Sequence, residues 1–337
     1  MHRTGKQTWV FPSSVGITST GTVAGKLEGE GPLGTLFDIA HEDDRMHHDT
    51  WEHAEQALFD EAANTALTKA NLSPTDIDLM IGGDLNAQLS SFYLGLRPFP
   101  IPALGAYCAC ATICESLAIG ALAVESGVSN RVLVGTSSHT STAERQFRYP
   151  TEYGAQKPPT AQRTVTGAGA AILSAEDSDI CIVSATIGQV TDLGITSPWE
   201  MGAAMAPAAS ATILTHFEDT GTSPKDYDLI ATGDLGFIGH DILMDLLHER
   251  GVVHTSNFTD CGMLIYRKDQ PEVFAGGSGG ACCTIVTFAH LFRELRERKW
   301  RRILVSATGA LLSSVTAQQN DSIPCISHAI VFERRDS

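Results

Sequence analysis

Ser73-Pro74-Thr75-Asp76-Ile77-Asp78-Leu79-Met80-Ile81-Gly82-Gly83-Asp84-Leu85 returns 150 residues later as Ser223-Pro224-Lys225-Asp226-Tyr227-Asp228-Leu229-Ile230-Ala231-Thr232-Gly233-Asp234-Leu235. Eight of the 13 aligned positions are identical. In each copy Ser-Pro-x-Asp has the composition of a turn or a first helical turn, where proline's missing N–H has no partner to lose. An apolar run of strand length follows and ends in Gly-Asp-Leu. Each copy comes after an amphipathic stretch that predicts a helix, over roughly 50–70 and 202–219. A second pair keeps the same order: Arg131-Val132-Leu133-Val134-Gly135-Thr136-Ser137 and Arg302-Ile303-Leu304-Val305-Ser306-Ala307-Thr308, now 171 apart. The change of offset puts the length difference in the loops between matching strands. Together the blocks predict a duplicated α/β chain whose strand ends, and hence its ligand site, lie near an internal pseudo-twofold axis.

The chain has 337 residues, 43% of them hydrophobic, enough for a large core or two fused halves. Thirty-one glycines, with strands alternating with helical stretches, point to α/β rather than a bundle or a sandwich. A net charge of −16 and the lack of a basic stripe argue against nucleic acid and against direct adhesion to anionic lipid. The most apolar stretch, Ile101 to Val124, is interrupted by Glu115, and Met1-His2-Arg3-Thr4-Gly5-Lys6 lacks the apolar run of a signal peptide. The expectation is a protein made in the cytoplasm, either soluble or peripherally bound to a membrane. Eight cysteines in so long a chain make no disulfide framework and are expected reduced and buried.

The first 48 residues read as a strand and an acidic loop. His47, His48 and His53 lie beside carboxylates at a spacing that fits no standard metal-ligand pattern. After Asp84-Leu85 come Asn86 and Gln88, a proline-punctuated connection, and a short strand near 103–106. Cys108-Ala109-Cys110-Ala111-Thr112 then opens a helix. Strand 131–137 is followed by a long polar excursion, His139 to Arg163, and strand 168–173. In the second half, strand 273–275 leads into Gly276-Gly277-Ser278-Gly279-Gly280-Ala281, then helix 284–297, strand 303–307 and a last strand 326–333. Counting back equally from Arg131 and Arg302 pairs Cys110 with Ala281, so the glycine-rich turn is the counterpart of the Cys110 turn. No linker separates residues 1–175 from 176–337, and the two halves read as one compact unit.

Cys110 falls within the first turn of its helix. Unpaired amides and the positive dipole end there predict a depressed thiol pKa, the setting of a nucleophile. Asp84 and Asp234 stand at strand ends, where they could hold a cation or cap helices; their repetition favours capping.

The whole chain resembles the thiolase superfamily, with Cys110-x-Thr112 at the position of that family's nucleophile. The resemblance implies a thiolase-like αβαβα layered fold of two duplicated, pseudo-twofold related halves. Cys325-Ile326-Ser327-His328 is similar to the family's cysteine-containing, glycine-rich C-terminal loop, and Cys325 to its proton-transferring cysteine. The departures are specific. Where thiolases and condensing enzymes place a histidine or an asparagine for the thioester oxygen, this chain has Gly276-Gly277-Ser278-Gly279-Gly280. Losing one such donor typically removes about 10²–10³ in rate.

Further blocks resemble one branch of the superfamily, the stage V sporulation protein AD family of spore-forming bacteria. They are Thr8-Trp9-Val10, Glu30-Gly31-Pro32-Leu33-Gly34, the run from Ala143 to Gly154, Ala206-Pro207-Ala208-Ala209, Phe274-Ala275-Gly276-Gly277-Ser278-Gly279 and Ser322-Ile323-Pro324-Cys325-Ile326. This resemblance implies a non-catalytic protein that binds dipicolinic acid, free or as its calcium chelate. It further implies a peripheral place at the inner spore membrane, among the membrane subunits of the stage V sporulation A channel complex that moves dipicolinate into the developing spore. Such a flat dianion needs a guanidinium fork or backbone amides and a flat apolar wall. The expected ligand-site residues are Cys110, Thr112, Asp84, Gln88, His139, Arg145, Arg148, Gly277, Cys325 and His328. No catalytic residue and no cofactor is expected, and calcium enters only as part of the ligand. The arginine block would serve equally as a dimer-interface or loop-ordering network, and a homodimer is the prior for thiolase relatives. The alternative activity is a condensing enzyme that transfers acyl groups through Cys110, with His328 or His139 as base. A third class is a scaffold that docks channel subunits.

Overall fold

In the computed structural model, which describes residues 1–147 and 157–335, ten principal strands lie along one hydrogen-bonded path. They are β1 (Thr8–Ala24), β2 (Leu79–Gly83), β3 (Ala103–Gly105), β4 (Arg131–Ser138), β5 (Gly167–Ser174), β6 (Ile180–Ile187), β7 (Leu229–Thr232), β8 (Phe258–Asp260), β9 (Arg302–Ala310) and β10 (Cys325–Arg334). The path runs β3-β2-β4-β5-β1, then β6-β10-β9-β7-β8. Each half therefore has the same internal order, third-second-fourth-fifth-first. The halves join where the long β1 pairs antiparallel with β6 through Thr8–Val10, and its other end pairs with β5.

The repeated block folds alike in both copies. Ser73 and Ser223 each close a reciprocal capping box with Asp76 and Asp226 around a single 3₁₀ turn, which launches β2 and β7. The second repeat forms β4 and β9, buried almost throughout, as strands covered on both faces must be.

Helices complete five layers. Two of them, α1 (Trp51–Lys69) and α2 (Thr112–Glu125), belong to the first half; α3 (Met201–Thr220) and α4 (Gly280–Val286) are their counterparts. Helix α1 covers β1 and β5 on one outside, and α3 covers β9 and β10 on the other. Helices α2 and α4 touch each other between the sheet halves, with Ile113, Leu117, Ile285 and Phe288 in the shared core. Among the described residues no helix is long and apolar enough to cross a membrane.

Four expectations are corrected. Thr140–Phe147 is helical where the sequence reads as a polar excursion, because Thr142 and Ala143 tuck the segment against α1. Residues 273–275 form no strand; the ladder there is Gly277–Ser278 against Arg163–Thr164. Helix α4 starts at Gly280 and reaches Arg296 only through a π turn, Thr287–Leu291. Cys325–His328 is the first part of β10 rather than a loop before it, since antiparallel pairing with β9 begins at Cys325.

Candidate functional site

Cys110 sits in a single 3₁₀ turn, Ala109–Ala111, that leads into α2. Ala109 takes φ of 49°, a left-handed conformation costly for a residue with a side chain. Thr112 holds the turn in place: its hydroxyl donates to the Ala109 carbonyl at 2.7 Å and accepts the Cys108 amide at 3.0 Å. The second half brings up the counterpart turn, where Gly279 has φ of 109° and its amide points at the Cys110 sulfur. A side chain at Gly279 would strike Ser138 and Thr164.

The cleft between the turns is narrow, about 30 Å³, and lined by Leu85, Tyr107, Ala109, Cys110, Thr164, Met201, Ser278, Gly279, Ala310 and Leu312. Through Leu85, Tyr107 and Leu312 it adjoins an outer vestibule of about 420 Å³ with largely apolar walls, including Leu89, Leu311 and Val315. Asn86, Ala87, Gln88 and Ser314 are shared in turn with a polar mouth of about 560 Å³ that also holds Arg145, Glu52 and Gln318. The three spaces form one path from solvent to the thiol.

The electrostatics of the inner end correct the expectation of an activated cysteine. Burial pushes the Cys110 thiol well above its ordinary range, and the nearby Asp234 carboxyl pushes the same way; the Gly279 amide offsets only part of this. Asp234 is itself fully buried, and burial holds its carboxyl well above the usual range. Cys325 lies close enough to raise Cys110 further, and burial takes its own thiol up to about 12. His328 faces Cys108 instead, with Nε2 3.3 Å from that sulfur. Its Nδ1 accepts the Gly188 amide at 3.1 Å, which assigns the ring proton to Nε2, and burial lowers its pKa to about 4. This is a neutral thiol–imidazole pair rather than thiolate and imidazolium.

The structure brings Cys110 into the cleft, and Gln88 and Arg145 into the mouth. Arg145 meets the Glu52 carboxylate there, both half-exposed. Thr112 shapes the turn without lining the space. Gly277 stands one residue behind the lining, paired with Arg163. Asp84 lies beneath the vestibule floor, its two carboxylate oxygens accepting the Asn86 and Phe92 amides at 2.6 Å each. His139 is fully buried away from the cleft: Nε2 donates to the Asp44 carbonyl at 3.0 Å, Nδ1 accepts the Ser141 amide, and the ring packs on Trp51. Arg148 lies outside the described residues. Tyr107, Met201, Leu312 and Ser278 were missed. Tyr107 had a signal, its place between β3 and the Cys108 turn; Leu312 could have been found as the exit of β9.

Two comparisons place this geometry. The family model for stage V sporulation protein AD matches residues 5–333. A curated relative, "Stage V sporulation protein AD" of Bacillus subtilis (strain 168), is 51% identical over 335 residues, 99% of this chain and 98% of that protein. The chain belongs to the stage V sporulation protein AD family. Among solved structures, 3-oxoacyl-[acyl-carrier-protein] synthase III of Aquifex aeolicus is similar in fold, with TM-score 0.56 and 16% identity over 95% of this chain and all of that one. Cerulenin-bound OleA of Xanthomonas campestris gives 0.61 and 14%, covering 96% and 97%. At these identities the likeness concerns the fold, which is thiolase-like.

Proposed function

We propose that this chain is a non-catalytic binding subunit for dipicolinate, free or as its calcium chelate, acting with the membrane subunits of a sporulation channel complex at the inner spore membrane. The observation that carries this reading is the character of the path. Its inner end is a buried cleft with an unactivated thiol beside a carboxyl whose pKa burial raises, its middle an apolar vestibule with a tyrosine wall, its mouth an arginine. A flat dianion suits such a gradient, with its ring in the vestibule and a carboxylate at Arg145, where guanidinium binds in two-pronged fashion. Family membership supports the same reading. Thiol acyl transfer fits less well, because a Cys110 held protonated is a poor nucleophile and His328 pairs with Cys108.

The second reading, a condensing enzyme, draws on the fold shared with 3-oxoacyl synthase III and on Cys110 at the strand-to-helix turn. Calorimetric titration and thermal melting with dipicolinate, with and without calcium, and with acetyl-CoA discriminate the two. Stoichiometric dipicolinate binding is expected, with stabilisation of about 2.7 kcal/mol at 100 times Kd. A shift with acetyl-CoA and none with dipicolinate would reverse the ranking.

A further inference from the structure

Four tyrosines fall among the described residues, and three have their hydroxyls committed. Tyr93 accepts the Gly105 amide at 3.0 Å, Tyr227 bonds His216 Nε2 at 2.6 Å, and Tyr266 donates to Glu28. The fourth, Tyr107, makes no hydrogen bond among the described residues and is 42% exposed. Its exposure is directed: Tyr107 lines both the inner cleft and the outer vestibule, a property it shares with Leu85 and Leu312. These three side chains form the neck between the two spaces. Everything that reaches Cys110 from the mouth passes an aromatic ring on one side and branched aliphatic groups on the others.

We propose that Tyr107 is the specificity-determining residue of the groove, a stacking platform that selects a planar aromatic carboxylate over a saturated one of the same shape and charge. The proposal rests on the binding function above and deepens it. A flat ring lying on Tyr107 gains offset stacking that a puckered ring cannot, because only a planar π-system matches the face of the phenol. Leu85 and Leu312 supply apolar contact from the remaining sides. The free hydroxyl adds a second element. Burial raises the phenol to about 12, so it remains protonated at any physiological pH and offers a donor to a ligand carboxylate. Arg145 at the mouth and Tyr107 at the neck would then hold the two ends of one dicarboxylate.

The test titrates wild type, Tyr107→Phe and Tyr107→Leu with dipicolinate and with its saturated analogue, piperidine-2,6-dicarboxylate. Melting curves without ligand confirm that each variant folds. Tyr107→Leu removes both platform and donor, so it is expected to weaken dipicolinate on the order of tenfold more than it weakens the saturated analogue, which loses only the few-fold contribution of the donor. Tyr107→Phe keeps the platform and loses the donor, so it should fall between, lowering both ligands by a similar few-fold factor. Equal loss for both ligands in Tyr107→Leu, or unchanged dipicolinate affinity in that variant, overturns the assignment while leaving dipicolinate binding in place. Failure of the wild type to bind dipicolinate overturns the binding function itself and this assignment with it.

Discussion

The two copies of Gly-Asp-Leu are identical in sequence and opposite in employment. Asp84 turns back on its own loop and accepts the Asn86 and Phe92 amides, fixing the floor of the vestibule. In the second half the equivalent loop is held by another residue: Asp260, at the end of β8, accepts the Leu235 and Gly236 amides at 2.9 Å and the Thr232 hydroxyl at 2.7 Å. The register puts Gly105 where Asp260 would be in the first half. Relieved of capping, Asp234 faces inward beside Cys110, with one carboxylate oxygen unpaired and the other 3.4 Å from the Thr308 amide. Duplication kept the scaffold, and the path to Cys110 lies where the halves stop matching.

A second mismatch concerns bulk. Ser138 at the end of β4 lies against Gly279, and its pseudo-twofold mate Gly309, near the end of β9, lies against Cys108, the mate of Gly279. One contact is serine on glycine and the other glycine on cysteine, so each accommodates one side chain. A methyl group at Gly309 would come 1.9 Å from the Cys108 carbonyl oxygen, a backbone atom that cannot swing aside. Gly309→Ala should therefore give the largest effect of any change at the site: a loss of roughly 3 kcal/mol or more, with ligand binding abolished as the Cys110 turn is displaced. Urea unfolding of wild type and variant reads this out; a fully tolerated Gly309→Ala would show that the Cys108 carbonyl is not held against β9.

The aspartates give an intermediate effect. Asp84→Asn keeps one acceptor oxygen and turns an NH₂ toward a buried backbone N–H, for a loss of about 1–3 kcal/mol and a loosened vestibule floor. Asp234→Asn replaces a carboxyl whose charged form burial already disfavours, and its oxygen still reaches Thr308, so less than about 1 kcal/mol should be lost. Equal losses in denaturant melts would mean that the second copy also caps its loop.

Much of this was legible in the chain because it is local. The capping boxes at Ser73 and Ser223, the buried runs at 131 and 302, and the helix after Cys110 depend on neighbours in sequence, and they formed where the pattern placed them. What was not legible is set by contacts remote in sequence. The amides at a helix start argue for a reactive Cys110, yet the opposing turn and Asp234 bury it, and desolvation outweighs the amides. His139 has the polarity of a site residue, but Asp44, in a loop, and Trp51, at the start of α1, claim it from far back in the chain. The helix at Thr140–Phe147 is short and polar in composition, and the residues it buries, Thr142, Ala143 and Glu144, include a threonine and a glutamate.

The smallest expected effect tests His328, an imidazole that the asymmetry brings against Cys108. His328 on β10 pairs with Ala307, and the equivalent position on β5 is Gly169, so only the second half places a ring there. Burial lowers the His328 pKa to about 4 from its ordinary 6.5. Between those values the unfolded chain binds a proton that the folded one refuses, so stability rises with pH across the window. The contribution is complete above pH 6.5 and is lost as pH falls through 4. His216, also lowered to about 4 by burial, acts with the same sign, whereas Glu28 and Asp260, raised to about 7, oppose it. His328→Asn removes the titrating group, and its side-chain oxygen takes the Gly188 amide in place of Nδ1. On going from pH 7.5 to 5.5, wild type should lose on the order of 1 kcal/mol more than the variant in paired denaturant melts. Parallel pH profiles would mean that the His328 ring keeps an ordinary affinity for protons in the fold, and that its contact with Cys108 is looser than 3.3 Å implies.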